Sequence, residues 1–235
     1  MSNGPSGFYE QRHVLFCDIL GFTNAVLQLE PNPSHLLITL SELTEAVREA
    51  NRIIEPESSR GASETGHQYT VTPRAEHFSD CIVVSTPATN VDAIWLCEAG
   101  AAIQNLLARR GFLSRGAICT GLLHHSEEAL FGPALANAVS TEQSTKLPRI
   151  EVSSKTYDIF RIADTETDRE IVRARENQLL VKTDAGPVWL DPFHYLKLFS
   201  SHAHTPPHPH VAPAVAGLAY DIGDRVTCRQ SKRIR

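Results

Sequence analysis

His13-Val14-Leu15-Phe16-Cys17-Asp18-Ile19-Leu20-Gly21-Phe22-Thr23 sets one carboxylate at the end of an apolar run, just before a glycine. Val14 to Cys17 have the pattern of a short buried strand and Gly21 breaks it, so Asp18 and Ile19 fall where a strand meets a helix. A carboxylate exposed at such a junction is placed to hold a metal ion. A second stretch, His77-Phe78-Ser79-Asp80-Cys81-Ile82-Val83-Val84-Ser85, carries Ser79 and Asp80 between two strand-like runs, as the tip of a β-hairpin does. One such Asp alone is more often a helix cap or a turn former than a metal ligand. Two that converge offer the oxygen ligands that hard divalent cations such as Mg2+ or Mn2+ take, with phosphate oxygens completing the shell.

Composition bounds what this pair can serve. The chain has 235 residues, 42% of them hydrophobic, and a formal charge of −5, which suits one soluble domain with a full core and excludes a basic nucleic-acid-binding surface. Cysteines at 17, 81, 97, 119 and 228 are odd in number and form no CxxC pair, so they read as thiols in a reducing compartment. Residues 1–11 are polar and glycine-containing, unlike a signal peptide, and no stretch is long enough to span a bilayer. The expected location is the cytoplasm, with neither nucleic acid nor membrane as partner.

Outward from the first stretch, Val26, Leu27 and Leu29 predict a short helix ended by Pro31 and Pro33. A longer helix begins near Ser34, with Leu36, Leu37, Leu40, Leu43, Val47 and Ile54 on one face. Residues 57–66 read as a polar loop and 67–86 as strand, turn and strand. Residues 90–110 form a helix capped by Asn90, and a strand follows over 115–123. His124, His125 and Ser126 with Glu127 and Glu128 read as a polar turn, since no third ligand stands at a zinc-site spacing. Pro133 opens a helix to Ser144; a strand over 150–152, a helix over 153–162 and a hairpin pairing 179–182 with 188–190 complete the body. From Ser200 the chain turns rich in His and Pro, so 200–235 is expected to be a disordered tail. The sum is an α+β fold: a mostly antiparallel sheet covered by helices.

Four motifs in order, Asp-Ile-Leu-Gly-Phe-Thr at 18–23, Phe-Ser-Asp-Cys-Ile-Val-Val at 78–84, Arg-Gly-Ala-Ile-Cys-Thr-Gly at 115–121 and Phe-Gly-Pro-Ala-Leu-Ala-Asn-Ala at 131–138, resemble class III nucleotidyl cyclases from about Arg12 to Leu196. The wording of the second and fourth motifs is most similar to the small stand-alone pyrimidine (uridylate) cyclases of bacterial Pycsar anti-phage systems. This resemblance implies a palm-like cyclase domain over 12–199, flanked by a flexible N-terminus over 1–11. It implies two metal ions, Mn2+ or Mg2+, held by Asp18, Asp80 and the carbonyl of Ile19. It implies a homodimer with shared active sites, to which Asn137 is brought for the ribose. The family's transition-state arginine is missing, because Thr141 stands one turn after Asn137. Arg115, Arg149 and Lys182 are the cations that can replace it, with Arg115 carried as the catalytic residue and Lys182 as a phosphate ligand.

In relatives the residue four before the second Asp helps select the base, and here that is Glu76. A one-residue register slip would present His77 instead. Phe16, Phe78 and Phe131 are placed to narrow the pocket to a single ring, and Phe22 and Thr23 complete the substrate-binding set. The expected substrate is UTP and the product 3′,5′-cyclic UMP, a second messenger of antiviral defence. The alternatives are a cytidylate, guanylate or adenylate cyclase and a non-catalytic nucleotide-binding dimerisation module.

Overall fold

The computed structural model describes residues 9–29, 41, 44–54, 73–109, 111–184 and 186–194. Its central strand, β1 (Glu10–Leu20), contains the apolar run and passes into α1 (Phe22–Leu29) through Gly21, whose φ of 79° is left-handed. A helix over 44–54 (α2), the hairpin strands β2 (Arg74–Phe78) and β3 (Cys81–Pro87), α3 (Asn90–Arg109) and β4 (Leu113–His125) follow. The chain continues through β5 (Leu130–Phe131), α4 (Pro133–Ser144), β6 (Ile150–Val152), α5 (Ser154–Phe160), α6 (Glu166–Leu179), β7 (Leu180–Val181) and β8 (Val188–Leu190). The sheet runs β2-β3-β1-β4-β6-β8-β7, with β5 pairing β4 at the side. Every pair is antiparallel except β4 with β6. This is the helix-covered, mostly antiparallel α+β architecture that the sequence predicts.

The near-continuous apolar character of β1 follows from burial on both faces. Leu15, Cys17 and Ile19 point into the larger core with Ala46, Ala50 and Ile54 of α2 and Leu96, Cys97 and Ile103 of α3. Val14 and Phe16 point the other way, with Val83, Ala117, Cys119 and the small Ala134 and Ala138 of α4. The alternation places Asp18 on the α4 face, at the end of the strand. Before α4, Gly132 holds φ 150°, and a Cβ there would stand 2.7 Å from the carbonyl oxygen of Leu122, so only glycine lets the helix start this close to β4.

Three local expectations are corrected. The cap of α3 is Thr89, whose hydroxyl accepts from the Asp92 N–H at 3.1 Å and donates to the Asp92 carboxylate at 2.6 Å; Asn90 lies inside the helix and reaches the carbonyl of Ile162. His124 and His125 are strand residues of β4, with His125 buried, because the β4 ladder extends past Leu123 and His125 finds a polar partner inside. Helix α6 was not anticipated, although Thr165 and Asp168 form a capping box at its start that the sequence displays. The expectations for the extreme N-terminus, the start of the long second helix, the loop over 57–66 and the tail over 200–235 lie wholly or mainly outside the described residues. Among the described residues no helix is long and apolar enough to cross a membrane.

His13, at the head of the deciding stretch, is a satisfied core histidine. Its Nδ1 lies 2.6 Å from the Thr120 hydroxyl and its Nε2 donates to the Thr89 carbonyl at 2.8 Å. Burial lowers its pKa to about 4, and burial does the same to His125, also to about 4. Both values lie below the unfolded one of about 6.5, so the unfolded chain binds more protons between those limits. The stability is complete above about pH 6.5 and is lost as pH falls toward 4. Urea titrations at pH 7 and pH 5 should show these two histidines costing roughly 3–4 kcal/mol of unfolding free energy at the lower pH; a stability that is flat or rises on acidification would contradict the assignment.

Candidate active site

Asp18 and Asp80 are brought together by strand register. Asp18 pairs with Cys81 of β3 on one side and with Arg115 of β4 on the other. The tip of the β2–β3 hairpin is tied to the end of β1 by the Ile19 N–H, which donates to the Asp80 carbonyl at 2.9 Å. Ser79 at this tip holds φ 54°, a left-handed conformation that costs a non-glycine residue about 1 kcal/mol. Ligand atoms of Asp18, Asp80 and Cys81 all lie within 4.8 Å of one another.

The electrostatics match a cation site. Burial raises the pKa of Asp18, the neighbouring Asp80 raises it further, and Arg115 only partly offsets both. The Cys81 thiol is pushed up to about 12 by burial and by the same two carboxylates, so it stays protonated, 4.0 Å from Asp18 Oδ1 and 3.8 Å from Asp80 Oδ1. Two carboxylates with a neutral thiol form a donor set for a hard, oxygen-preferring divalent ion rather than for a thiolate-bound metal.

Of the three cations named as replacements for the missing arginine, the described structure brings one to the aspartates. Arg115 NH2 is 3.6 Å from Asp18 Oδ2; its Nε donates to the buried carboxylate of Glu142 on α4, and its NH1 donates to the Thr145 carbonyl at 3.3 Å. Arg149 is held by Glu151 at 2.6 Å and stacks on Trp189, 4.6 Å from the ring centroid. Lys182 is 2.9 Å from Glu176 on the β7 side, four strands from β1 and so roughly 19 Å away across the sheet. Glu142 is the residue that sequence reading missed; its position eight before Ile150 gives no local signal, and only the docking of α4 shows it.

The remaining named residues divide. Glu76 pairs with Val83, itself opposite Phe16, so both lie on the face of Asp18. His77 pairs with Ile82 opposite Cys17 and points to the other face. Phe78, at the hairpin tip, is 52% exposed, whereas Phe22 packs into the larger core and Thr23 is exposed. Asn137 is exposed on α4, away from the sheet, and Thr141 spends its hydroxyl on the Asn137 carbonyl at 2.9 Å. Phe131 packs against Tyr9 and His124, nine residues along β4 from Arg115 and so roughly 30 Å off. Within one chain Asn137, Phe131 and Lys182 do not meet the aspartates.

No protein-family model matches the sequence, and no curated protein does. Among solved structures, the guanylate cyclase domain of RhGC from Catenaria anguillulae in complex with GTP is 16% identical, over 79% of this chain and 98% of that one, with a TM-score of 0.46. The adenylyl cyclase CyaB from P. aeruginosa is 19% identical, over 77% of this chain and 92% of that one, with a TM-score of 0.42. The catalytic core of a rhodopsin-guanylyl cyclase with converted specificity, in complex with ATPalphaS, is 17% identical over 78% and 96%, with a TM-score of 0.47.

The repulsion between the two aspartates yields a prediction about the metal-free protein. Asp80→Asn should leave its melting temperature unchanged or raise it by about 1–2 °C, because the half-buried Asp18 loses a like charge. Mn2+ should raise the melting temperature of the wild type and leave that of Asp80→Asn where it was. A variant that melts well below wild type, or that Mn2+ still stabilises, would show that these carboxylates do not form one cation site.

Proposed function

We propose that residues 12–199 are the catalytic domain of a uridylate cyclase, which converts UTP to 3′,5′-cyclic UMP and pyrophosphate. The convergence of Asp18 and Asp80 beside Arg115 carries the proposal. The order of the four sequence motifs identifies which chemistry such a site serves. In the reaction a bond forms between the ribose 3′-oxygen and the α-phosphorus while the bond from that phosphorus to the bridging oxygen breaks. Pyrophosphate leaves with the electron pair, and the 3′-hydroxyl gives up its proton to solvent.

Asp18, Asp80 and the Ile19 carbonyl are the residues that would hold two Mn2+ or Mg2+ ions, which lower the pKa of the attacking hydroxyl and neutralise charge on the triphosphate. Arg115 supplies the positive charge that Thr141 cannot. It is orientated by Glu142 and Thr145, so it is already aimed at Asp18 before substrate arrives. Glu76 and Phe16, on the same face, are the base-reading pair, with Phe78 at the hairpin tip. The exposure of Asn137 on α4 suits a two-fold homodimer in which each chain offers its aspartates to the partner's ribose-binding Asn. A cytosolic role in anti-phage signalling rests on the motif wording alone.

A second reading, a domain that binds nucleotide without turnover, is favoured by Thr141, whose hydroxyl is directed back to its own helix. Purified protein incubated with equal ATP, GTP, CTP and UTP plus Mn2+ separates the readings: cyclic UMP should dominate, then cyclic CMP. A cyclic purine as main product would overturn the uridylate assignment, and nucleotide binding without any cyclic product would establish the binding module. Arg115→Ala should lower kcat by about 10²–10³ with KM for UTP changed little, since its charge acts in the transition state. An unaltered kcat would remove Arg115 from the chemistry.

A further inference from the structure

A line of polar side chains crosses four strands on the α4 face and ends at Glu76. Arg12 of β1 is 1% exposed; its Nε donates to the Ser85 hydroxyl of β3 at 3.0 Å, its NH2 to the Ser85 carbonyl at 3.4 Å and its NH1 to Glu10 at 3.0 Å. The Ser85 hydroxyl lies 2.7 Å from Nδ1 of His125 on β4. On the other side of that ring, Nε2 is buried, makes no hydrogen bond among the described residues, and stands 3.4 Å from Glu76 Oε1 on β2.

Proton positions along this line are constrained. An arginine only donates, so the Ser85 oxygen accepts from Arg12 and its own hydrogen goes to His125 Nδ1. The reverse direction would leave the Ser85 hydrogen without an acceptor among the described residues. Burial lowers the pKa of His125 to about 4, and Arg12, Arg74 and His124, which face it, act in the same direction, so the ring is neutral near pH 7. Its single N–H therefore sits on Nε2, the ring nitrogen that stands 3.4 Å from Glu76 Oε1. The Glu76 side chain is 31% exposed and His125's is not exposed at all, so the carboxylate has one oxygen against the buried ring while part of the group stays accessible.

We propose that His125 is a positioning residue for base selection, holding one oxygen of Glu76 so that the other is offered as a fixed acceptor to a base carrying a ring N–H. Uracil at N3 and guanine at N1 satisfy such an acceptor; cytosine at N3 and adenine at N1 present a second acceptor and leave it unpaired. This rests on the nucleotide-cyclase reading above, with Glu76 as base reader, and adds what makes that carboxylate selective. Arg12 and Ser85 act through His125 by setting its tautomer.

The test uses the full chain with Mn2+ and compares UTP with CTP, bases of one size and opposite polarity, by calorimetric Kd and by kcat and KM. His125→Phe keeps a ring and loses the N–H. It should weaken UTP about tenfold and CTP by less than about twofold, with kcat for UTP within about threefold of wild type. His125→Gln, whose amide N–H can reach the same place, should restore the preference, whereas Ser85→Ala should lose part of it. Melting curves accompany each variant; if His125→Phe melts far below wild type, the other two decide.

A His125→Phe protein that keeps the UTP-over-CTP ratio, or that loses both nucleotides alike, overturns the proposal. So does an unchanged ratio in Ser85→Ala when His125→Phe cannot be used. A wild type that prefers CTP and ATP overturns it while leaving the cyclase reading standing. A wild type that binds no nucleoside triphosphate defeats that reading, and this inference with it.

Discussion

The hydrogen bond from the Ile19 N–H to the Asp80 carbonyl is the contact on which the site depends. It ties a hairpin tip to the end of the central strand at a place where two carboxylates repel each other and a half-buried thiol lies within reach of both. Left to electrostatics the two aspartates would separate. The β1–β3 ladder, seven paired residues from Arg12 to Asp18, supplies the opposing force, and the left-handed Ser79 turns the chain tightly enough to place Asp80 beyond its last rung. Stability stored in the ladder thus maintains a local arrangement that is unfavourable by itself, as functional sites commonly require.

Helix α4 serves packing and charge with one face. Ala134 and Ala138 are small enough to let it lie against β1 and β4, and one turn further the same face presents Glu142 to Arg115. Arg115 therefore answers to two carboxylates, a buried one that anchors it and Asp18, which it partly neutralises. The anchor limits how far the guanidinium can swing, which suits the role proposed for it, meeting developing charge without reorganisation. Asn137, five residues before Glu142, falls on the opposite, exposed side of the helix, so the geometry that buries Glu142 is the geometry that sends Asn137 outward.

The α4 face of the sheet is polar at both ends and apolar between. Asp18 and Arg115 occupy one end, Arg12, Ser85 and His125 the other, and Val14, Phe16, Val83 and Ala117 lie between them. A buried arginine is costly unless its donors are met. Here Glu10 and Ser85 meet them, and the chain of bonds orders a histidine that would otherwise have two equivalent tautomers.

Much of this was legible before any coordinates. The two strand-end aspartates, the hairpin with its turn at Ser79 and Asp80, the helix opened by Pro133 and the antiparallel character of the sheet follow from local pattern, because period-two alternation, glycine breaks and proline at a first turn act within a few residues. The cap of α3 was misread by one residue, because Thr89 and Asn90 are both good caps and only the backbone path chooses between them. What local pattern cannot carry is which strands become neighbours and which faces they share. That Arg115 is the cation beside Asp18, that Glu142 holds it, that Glu76 rather than His77 shares the face of the aspartates and that His125 is buried behind Glu76 were decided by register and helix docking. The side-chain contacts among them join residues 27 to 97 positions apart, and no nearby residue in the chain encodes them.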